Sequence, residues 1–305
     1  MELAYHVPVL AKECIEALKI KSGGIYVDVT FGGGGHAWEI YQQLDNGKLI
    51  AFDQDPDARK NATRFASDAK RSFVFVPSNF QYLKQYLRFH KVERVDGILA
   101  DLGISSHQID AASRGFSTRF DAKLDMRMDQ SRPLTALLVV NDYTEQQLVH
   151  LFSFYGEIKN ARTLAATIIR ERQKNRVMTT QQLKFIAEMV APKAKLSKYL
   201  AQVFQAIRLE VNDELGTLKE FLIQASEVLD KNGRLVIMSY HSLEDRLVKN
   251  FIAYGNFTGK PEKDFYGNLI RPLEPVNRKP IEASAEEIEK NKRARSAKLR
   301  IAEKV

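Results

Sequence analysis

"IYVDVTFGGGGHAWEI", Ile25–Ile40, joins an apolar run to four consecutive glycines and then to residues at helical spacing. Ile25, Val27 and Val29 are β-branched and followed by Thr30 and Phe31, which predicts a buried strand, and Ala37 to Leu44 predicts a helix. A glycine turn between the two bends sharply and lets a ligand approach bare backbone, where the unpaired N–H groups of the helix start point outward. That geometry suits a nucleotide-like cofactor. Gly32, Gly34 and Ala37 have the G-x-G-x-x-G/A spacing of dinucleotide sites, so the turn alone leaves nicotinamide and S-adenosylmethionine cofactors equally open.

A second strand pattern, "KLIAFDQD", ends in Asp53 and Asp55, where the next parallel strand of a doubly wound sheet offers a carboxylate to ribose hydroxyls. Both cofactors contain that ribose, and a solvated strand-end turn before Pro56 is the plainer alternative. "SFVFVPSNF" and "VDGILADLG" continue the series with the helix-like "QYLKQYLRFH" between them, so the first hundred residues predict an α/β fold with a parallel sheet. The alternation then stops. Ile104–Pro133, with turn formers, both charge signs and no sustained apolar period, is expected to be a long functional loop.

From Thr144 the pattern is helical. Thr144 with Gln147, and Thr179 with Gln182, have capping-box spacing, and "ARTLAATIIRER" and "LAQVFQAIRLEVNDELGTLKEFLIQASEVL" repeat apolar residues at helical intervals. "DKNGRLVIMSYHS" then restores a turn and a strand, Arg234–Tyr240, which resumes the sheet. The expected organisation is a core in two parts, residues 1–108 and 214–305, interrupted by an all-helical insertion at 109–213. Near the end "AKLRIAEKV" reads as a last, edge strand.

Lysine and arginine number 46 against 38 acidic residues, a formal charge of +8 that favours a polyanionic partner. Between Glu157 and Lys198 ten basic residues, among them Arg170, Arg172, Lys174 and Arg176, face three glutamates, and "KNKRARSAKLR" forms a second cluster. Such a surface either holds phosphates or is a solvated helix face. The single cysteine, Cys14, forms no internal disulfide or cysteine metal cage. With no apolar run of membrane length and no signal-peptide order at the start, a cytoplasmic protein is expected. No G-x-S-x-G elbow and no histidine or cysteine spacing for a metal is present, so no metal is expected.

Ligands of open α/β sheets sit beyond the carboxyl ends of the strands. The residues there are Gly32–His36, Asp53 and Asp55, Asn79 and Phe80, Asp101–Ser106, and Ser239–Ser242. Phe80 either stacks on an adenine or packs in the core. Asp101 ends an apolar strand as a candidate proton acceptor or amine ligand; His36 either meets the ligand or caps its helix; His241 is a structural hydrogen-bond partner or a catalyst.

These stretches resemble the RsmH (MraW) family of S-adenosylmethionine-dependent methyltransferases. The resemblance covers nearly the whole chain, through "HVPVLAKECIEAL", "YVDVTFGGGGHA", "AFDQDP", "VDGILADLGISSHQID", "RGFS", "LDMRMD", "YGEIKNARTLAATIIRER", "VFQAIRLEVNDEL", "GRLVIMSYHSLEDRLVKNF" and "RARSAKLRIAEK". It implies a Rossmann-like class I methyltransferase core with the helical insertion as substrate-side domain, and methylation of N4 of a decoding-centre cytidine in 16S ribosomal RNA of the small subunit. It also implies a cofactor site of Gly34, Gly35, His36, Asp53, Phe80, Asp101 and Gln108. The glycine turn is uninterrupted where many relatives have arginine, and His107 stands where they usually have proline. The proton acceptor is left among Asp101, Ser239 and His241, and a homodimer is compatible with the resemblance. The reading set against it is a nicotinamide-dependent dehydrogenase with a helical substrate domain, which rests on the glycine spacing and the ribose carboxylate.

Overall fold

The structure, a computed structural model, describes residues 8–65 and 71–305. His6 and Val7, at the head of the first family-like stretch, lie outside the described residues. The chain divides into two compact units, one made by the described chain up to Gly103 together with Leu215–Val305, the other by Ile104–Glu214.

The first unit begins with the alternation the apolar runs predict: α1 (Ala11–Leu18), β1 (Ile25–Asp28), α2 (Gly35–Gln43), β2 (Lys48–Phe52), β3 (Ser72–Val76), α3 (Leu83–Phe89) and β4 (Val95–Asp101). β1 pairs in parallel with β2 and with β4, and β2 with β3. Parallel neighbours need a crossover rather than a hairpin, and the glycine turn with α2 supplies the first one.

The second unit is helical: α4 (Ser106–Asp110), α5 (Ala136–Asp142), α6 (Glu145–Phe154), α7 (Ala161–Lys174), α8 (Thr180–Glu188) and α9 (Leu196–Asn212) around one apolar core. Both predicted capping boxes form, each threonine accepting the N3 backbone N–H while the glutamine side chain accepts that of the cap. The stretch 104–133 is a long loop, as its composition suggests, apart from α4 and a 3-10 turn at Ala112–Arg114, but part of it is packed into the core. Leu124, Met126 and Met128 point inward at a spacing of two and are buried with Leu148, Leu164 and Val203. Asn212 holds this irregular segment through Met128 N–H (2.7 Å) and Met126 C=O (2.8 Å), and the Arg114 guanidinium donates to Arg127 and Met128 carbonyls. The alternating Asp125, Arg127 and Asp129 disguise a core segment as a polar one.

α10 (Glu214–Val228) returns the chain to the first unit, followed by β5 (Leu229–Ser239), α11 (Ser242–Tyr254), β6 (Leu273–Pro275), α12 (Ala285–Lys290) and β7 (Lys298–Lys304). The seven strands are ordered β3-β2-β1-β4-β5-β7-β6, with β7 antiparallel to both neighbours. This is the Rossmann-like class I methyltransferase arrangement. β7 is therefore internal, not the edge: its Leu299–Ala302 stretch is buried, and the short β6, ending in Pro275, shields it. β5 begins five residues before Arg234, because the predicted Asp230–Gly233 turn is an excursion within the strand: Val95 pairs with Leu229, then Gly97 with Arg234. Asn232 takes the left-handed backbone there.

One sheet face packs on Leu83, Phe221, Leu222, Val248 and Phe251 from α3, α10 and α11; the other packs on Cys14, Leu18, Ile40 and Tyr41 from α1 and α2. Strand order reverses between β1 and β4, so their carboxyl ends diverge into a crevice. No helix of the described residues is long and apolar enough to cross a membrane.

Candidate active site

Successive side chains of a strand point to opposite faces. Asp28, Asp53, Asp101 and Tyr240 each stand two positions beyond a residue buried on the α1–α2 face, namely Tyr26, Ala51, Leu99 and Met238. Sequence alternation thus delivers three carboxylates and a phenol to one side of the crevice mouth.

The glycine turn is shaped by its own packing. Gly34 takes φ +72° as the N-cap of α2, and a Cβ there would lie 2.8 Å from the Phe31 ring; a Cβ on Gly35 would lie 2.5 Å from Pro8. Asn61 Nδ2 donates to the Gly32 carbonyl at 2.9 Å, and Arg64, its guanidinium over the Trp38 ring, donates to the Gly34 carbonyl. Asp53 closes the loop from β2: Oδ2 accepts the Gly32 N–H at 2.7 Å and Oδ1 the Asp55 N–H at 2.8 Å. With carbonyls tied back, the turn presents N–H groups at the start of α2.

His36, the second residue of α2, is not a cap. Its ring is 7% exposed, and neither nitrogen has a hydrogen-bond partner among the described residues. Nε2 lies 3.7 Å from Asp101 Oδ2, too far for a hydrogen bond. Burial lowers the imidazole to about 4, so the ring is neutral at pH 7. Buried polar atoms of this kind are satisfied in nearly all native structures, and the neutral ring has one donor and one acceptor to offer a ligand.

Asp101 receives a hydrogen bond from the Tyr240 hydroxyl on Oδ1 (2.7 Å), and its own N–H donates to Thr30 Oγ1 (2.6 Å). Burial pushes its carboxyl up to about 7, the Tyr240 hydrogen bond opposes that rise, and the Glu244 charge adds to it. Even so, 27% of the side chain stays open.

Asp28 is 1% exposed and accepts the Thr30 N–H at 3.0 Å. Burial pushes it up to about 7, with the Asp101 and Asp53 charges contributing. A carboxyl raised above its unfolded value favours folding while protonated and loses that advantage as pH climbs through its folded pKa. Asp28→Asn is therefore expected to stabilise the protein by about 2–4 kcal/mol at pH 8 and by much less at pH 4.5. Urea unfolding at the two pH values checks this; equal effects at both would show that the Asp28 charge is not what matters.

The other expected residues are engaged in different ways. Phe80 is half-buried, edge-to-face on Phe221 at 5.3 Å, and Asn79 caps its turn by accepting the Gln81 N–H. Gln108 lies in the helical unit, where with Ser105 it completes a third capping box. Ser239 is buried, its hydroxyl turned to the Lys298 carbonyl at 3.5 Å. His241 caps α11 through Nδ1, which accepts the Glu244 N–H, while Nε2 lies 3.2 Å from Glu244 Oε1 without hydrogen-bond alignment. Asp28 and Glu244 were not foreseen, and Tyr240 was placed at the strand end within Ser239–Ser242 without a role of its own. An acid inside the apolar "YVDV" run was the available signal for Asp28, and the aromatic at the β5 end for Tyr240.

The basic cluster of α7 is partly neutralised internally. Arg170 and Lys174 each lie 3.0 Å from Glu171, Arg176 lies 3.5 Å from Asp142, and Arg172 donates to the Val140 carbonyl at 2.8 Å. Arg172 thus secures α5, and the other three remain more than half exposed. In the terminal cluster Arg300 is buried on Asp245 through two bonds of 2.6 and 3.1 Å.

Three carboxylates around a glycine turn favour a cationic, nucleoside-like ligand and disfavour a pyrophosphate. The sulfonium and ammonium of S-adenosylmethionine fit that charge, its ribose fits Asp53, and the unpartnered His36 fits a ligand hydrogen bond. Among the described residues no group of three His, Cys, Asp or Glu side chains is placed to hold a metal ion. The sequence model of the MraW methylase family matches residues 3–305. The ribosomal RNA small subunit methyltransferase H of Cytophaga hutchinsonii is 54% identical over 300 residues, 98% of this chain and 99% of that protein. Proteins of the same name from Christiangramia forsetii and Flavobacterium johnsoniae are each 54% identical over 304 residues, 99% of both chains.

Proposed function

The chain belongs to the MraW methylase family, and from that premise we propose that it transfers a methyl group from S-adenosylmethionine to N4 of a decoding-centre cytidine in 16S ribosomal RNA. Full-length likeness at 54% identity carries the reading, and the acid-rich crevice supports it. The dehydrogenase alternative has only the glycine spacing and ribose carboxylate, which a methyltransferase shares.

We assign the cofactor to Gly34, Gly35 and His36 at the turn, Asp53 on the ribose hydroxyls, Phe80 near the adenine and Asp101 at the pocket's edge; Gln108, in the helical unit, joins this set on the family resemblance alone. The cofactor supplies an electrophilic methyl. The chain must hold the acceptor amine in line with it and take up a proton, because the N4 lone pair is delocalised into the cytosine ring. Of the three candidate acceptors, Ser239 is buried with its hydroxyl turned to the Lys298 carbonyl, His241 caps α11 through Nδ1 and has its Nε2 buried, and Asp101 keeps part of its carboxylate open. A carboxyl near 7 also matches what a general base requires. Reaching N4 requires the cytidine to be splayed from its stack, which costs least in single-stranded RNA.

Mapping of 16S methylation in a strain with and without the gene tests the reaction, with loss of one N4-methyl signal at a decoding-centre cytidine as the expected result. An unchanged modification map overturns it. Calorimetry should register S-adenosylmethionine and its demethylated product but not NAD.

The helical insertion is assigned to the substrate side. Reversing Arg170, Lys174 and Arg176 together, while sparing Arg172, should weaken binding of small subunits and lower its log–log salt slope by about two to three, near 0.7–0.9 for each phosphate no longer neutralised. Cofactor affinity should be unchanged; normal methylation across a salt series would make the cluster a solvated face. The same reading places the enzyme in the cytoplasm and admits a homodimer, which light scattering of the purified chain tests.

A further inference from the structure

The Asp101 carboxylate sits in surroundings that oppose its charge. Asp28 from β1 and Glu244 from α11 are acidic, Cys14 from α1 is a buried thiol beside it, Asp53 of β2 adds its charge to the surroundings of Asp28, and His36 from α2 is uncharged. Among the described residues one side chain donates to it, the Tyr240 hydroxyl at 2.7 Å.

Tyr240 is itself anchored. Asp101 pairs with Met238 across β4 and β5, and the Leu102 N–H extends that ladder to the Met238 carbonyl at 3.0 Å, so the phenol two residues on projects beside Asp101. The Tyr240 N–H donates to Glu244 Oε2 at 3.0 Å, and Glu244 is buried at the start of α11. Gly103, at φ +97°, runs past the ring, where a Cβ would stand at an ordinary van der Waals distance of 3.7 Å. The Tyr240 backbone is thereby held by Glu244 and its hydroxyl by Asp101.

We infer that Tyr240 is a positioning residue for methyl transfer: its hydroxyl takes Asp101 Oδ1, which fixes the carboxylate and leaves Oδ2 toward the crevice as the proton acceptor. No other role for the phenol is needed, since Oδ2 accepts no hydrogen bond among the described residues. Burial and the Asp101 charge raise the phenol far above its ordinary value, so it remains a donor throughout any practical assay range. The inference rests on the reading of Asp101 given above.

The test is the pH dependence, from pH 6 to 9.5, of single-turnover methylation at saturating S-adenosylmethionine, using small subunits from cells lacking the gene. The wild type should show an acid limb from Asp101. Tyr240→Phe removes the bond that favours the carboxylate, so the limb should move up by about one unit, leaving the variant roughly tenfold slower near pH 6.5 and close to wild type at pH 9. A limb in the original place with a uniformly lower rate would overturn the inference, because that is what a purely structural role produces. Should the phenylalanine variant fold poorly, a fluorinated tyrosine at position 240, a more acidic donor, should move the limb down; no displacement overturns the inference equally. Asp101→Asn separates the premise: a variant with unimpaired rate removes the role of Asp101, whereas a collapsed rate alongside an unshifted Tyr240→Phe limb removes only that of Tyr240.

Discussion

Asp101→Asn is expected to slow single-turnover methylation by roughly 10²–10⁴-fold at saturating cofactor, the usual contribution of a positioned general base. The substitution keeps the side chain's shape and its oxygen toward Tyr240 while deleting the acceptor charge. Asp101 also lies at the proposed cofactor edge, so binding should change, but by less than the rate. The dissociation constant for S-adenosylmethionine measured beside the rate distinguishes the two roles. If saturating cofactor restores most of the turnover, the carboxylate only holds the cofactor, and the proton must leave by another route.

Asp53→Ala should lower S-adenosylmethionine affinity on the order of a hundredfold, about 3 kcal/mol, with turnover near wild type once cofactor saturates. Two effects combine. Ribose hydroxyls lose a charged acceptor, and the Gly32 and Asp55 N–H groups lose the oxygens that tie the glycine turn to β2. The second effect predicts that Asp53→Asn, which keeps one acceptor oxygen, costs less than Asp53→Ala. Calorimetric titration of both variants checks this, and unchanged affinity in the alanine variant would remove Asp53 from the cofactor site.

What was legible beforehand follows the range of the interactions. Thr144 with Gln147 and Thr179 with Gln182 bond three residues away, so their spacing alone announced the two helix starts. Ser105 and Gln108 have the same spacing, and their capping box could have been read in the same way. The partial neutralisation of Arg170 and Lys174 by Glu171 is equally local. The Leu124–Met128 stretch misleads because three strong charges interleave three core side chains, and the groups that hold it lie beyond local reach, Asn212 more than eighty residues away and the Arg114 guanidinium among them.

Sequence by itself determined the strand series, the glycine turn, the helical interruption and the placement of Asp53 and Asp101 at strand ends, because each depends on periodicity or on neighbours within a few residues. The tertiary structure alone decided which of these residues act together. β5 arrives beside β4 only after the whole helical unit has been made, which brings Tyr240 within 2.7 Å of a residue 139 positions earlier. Burial is likewise a property of the packed sheet and its covering helices: it leaves His36 neutral and without a partner among the described residues, and raises Asp28 and Asp101 toward neutrality. Desolvation comes from atoms supplied by distant parts of the chain, so no local pattern of residues reports it.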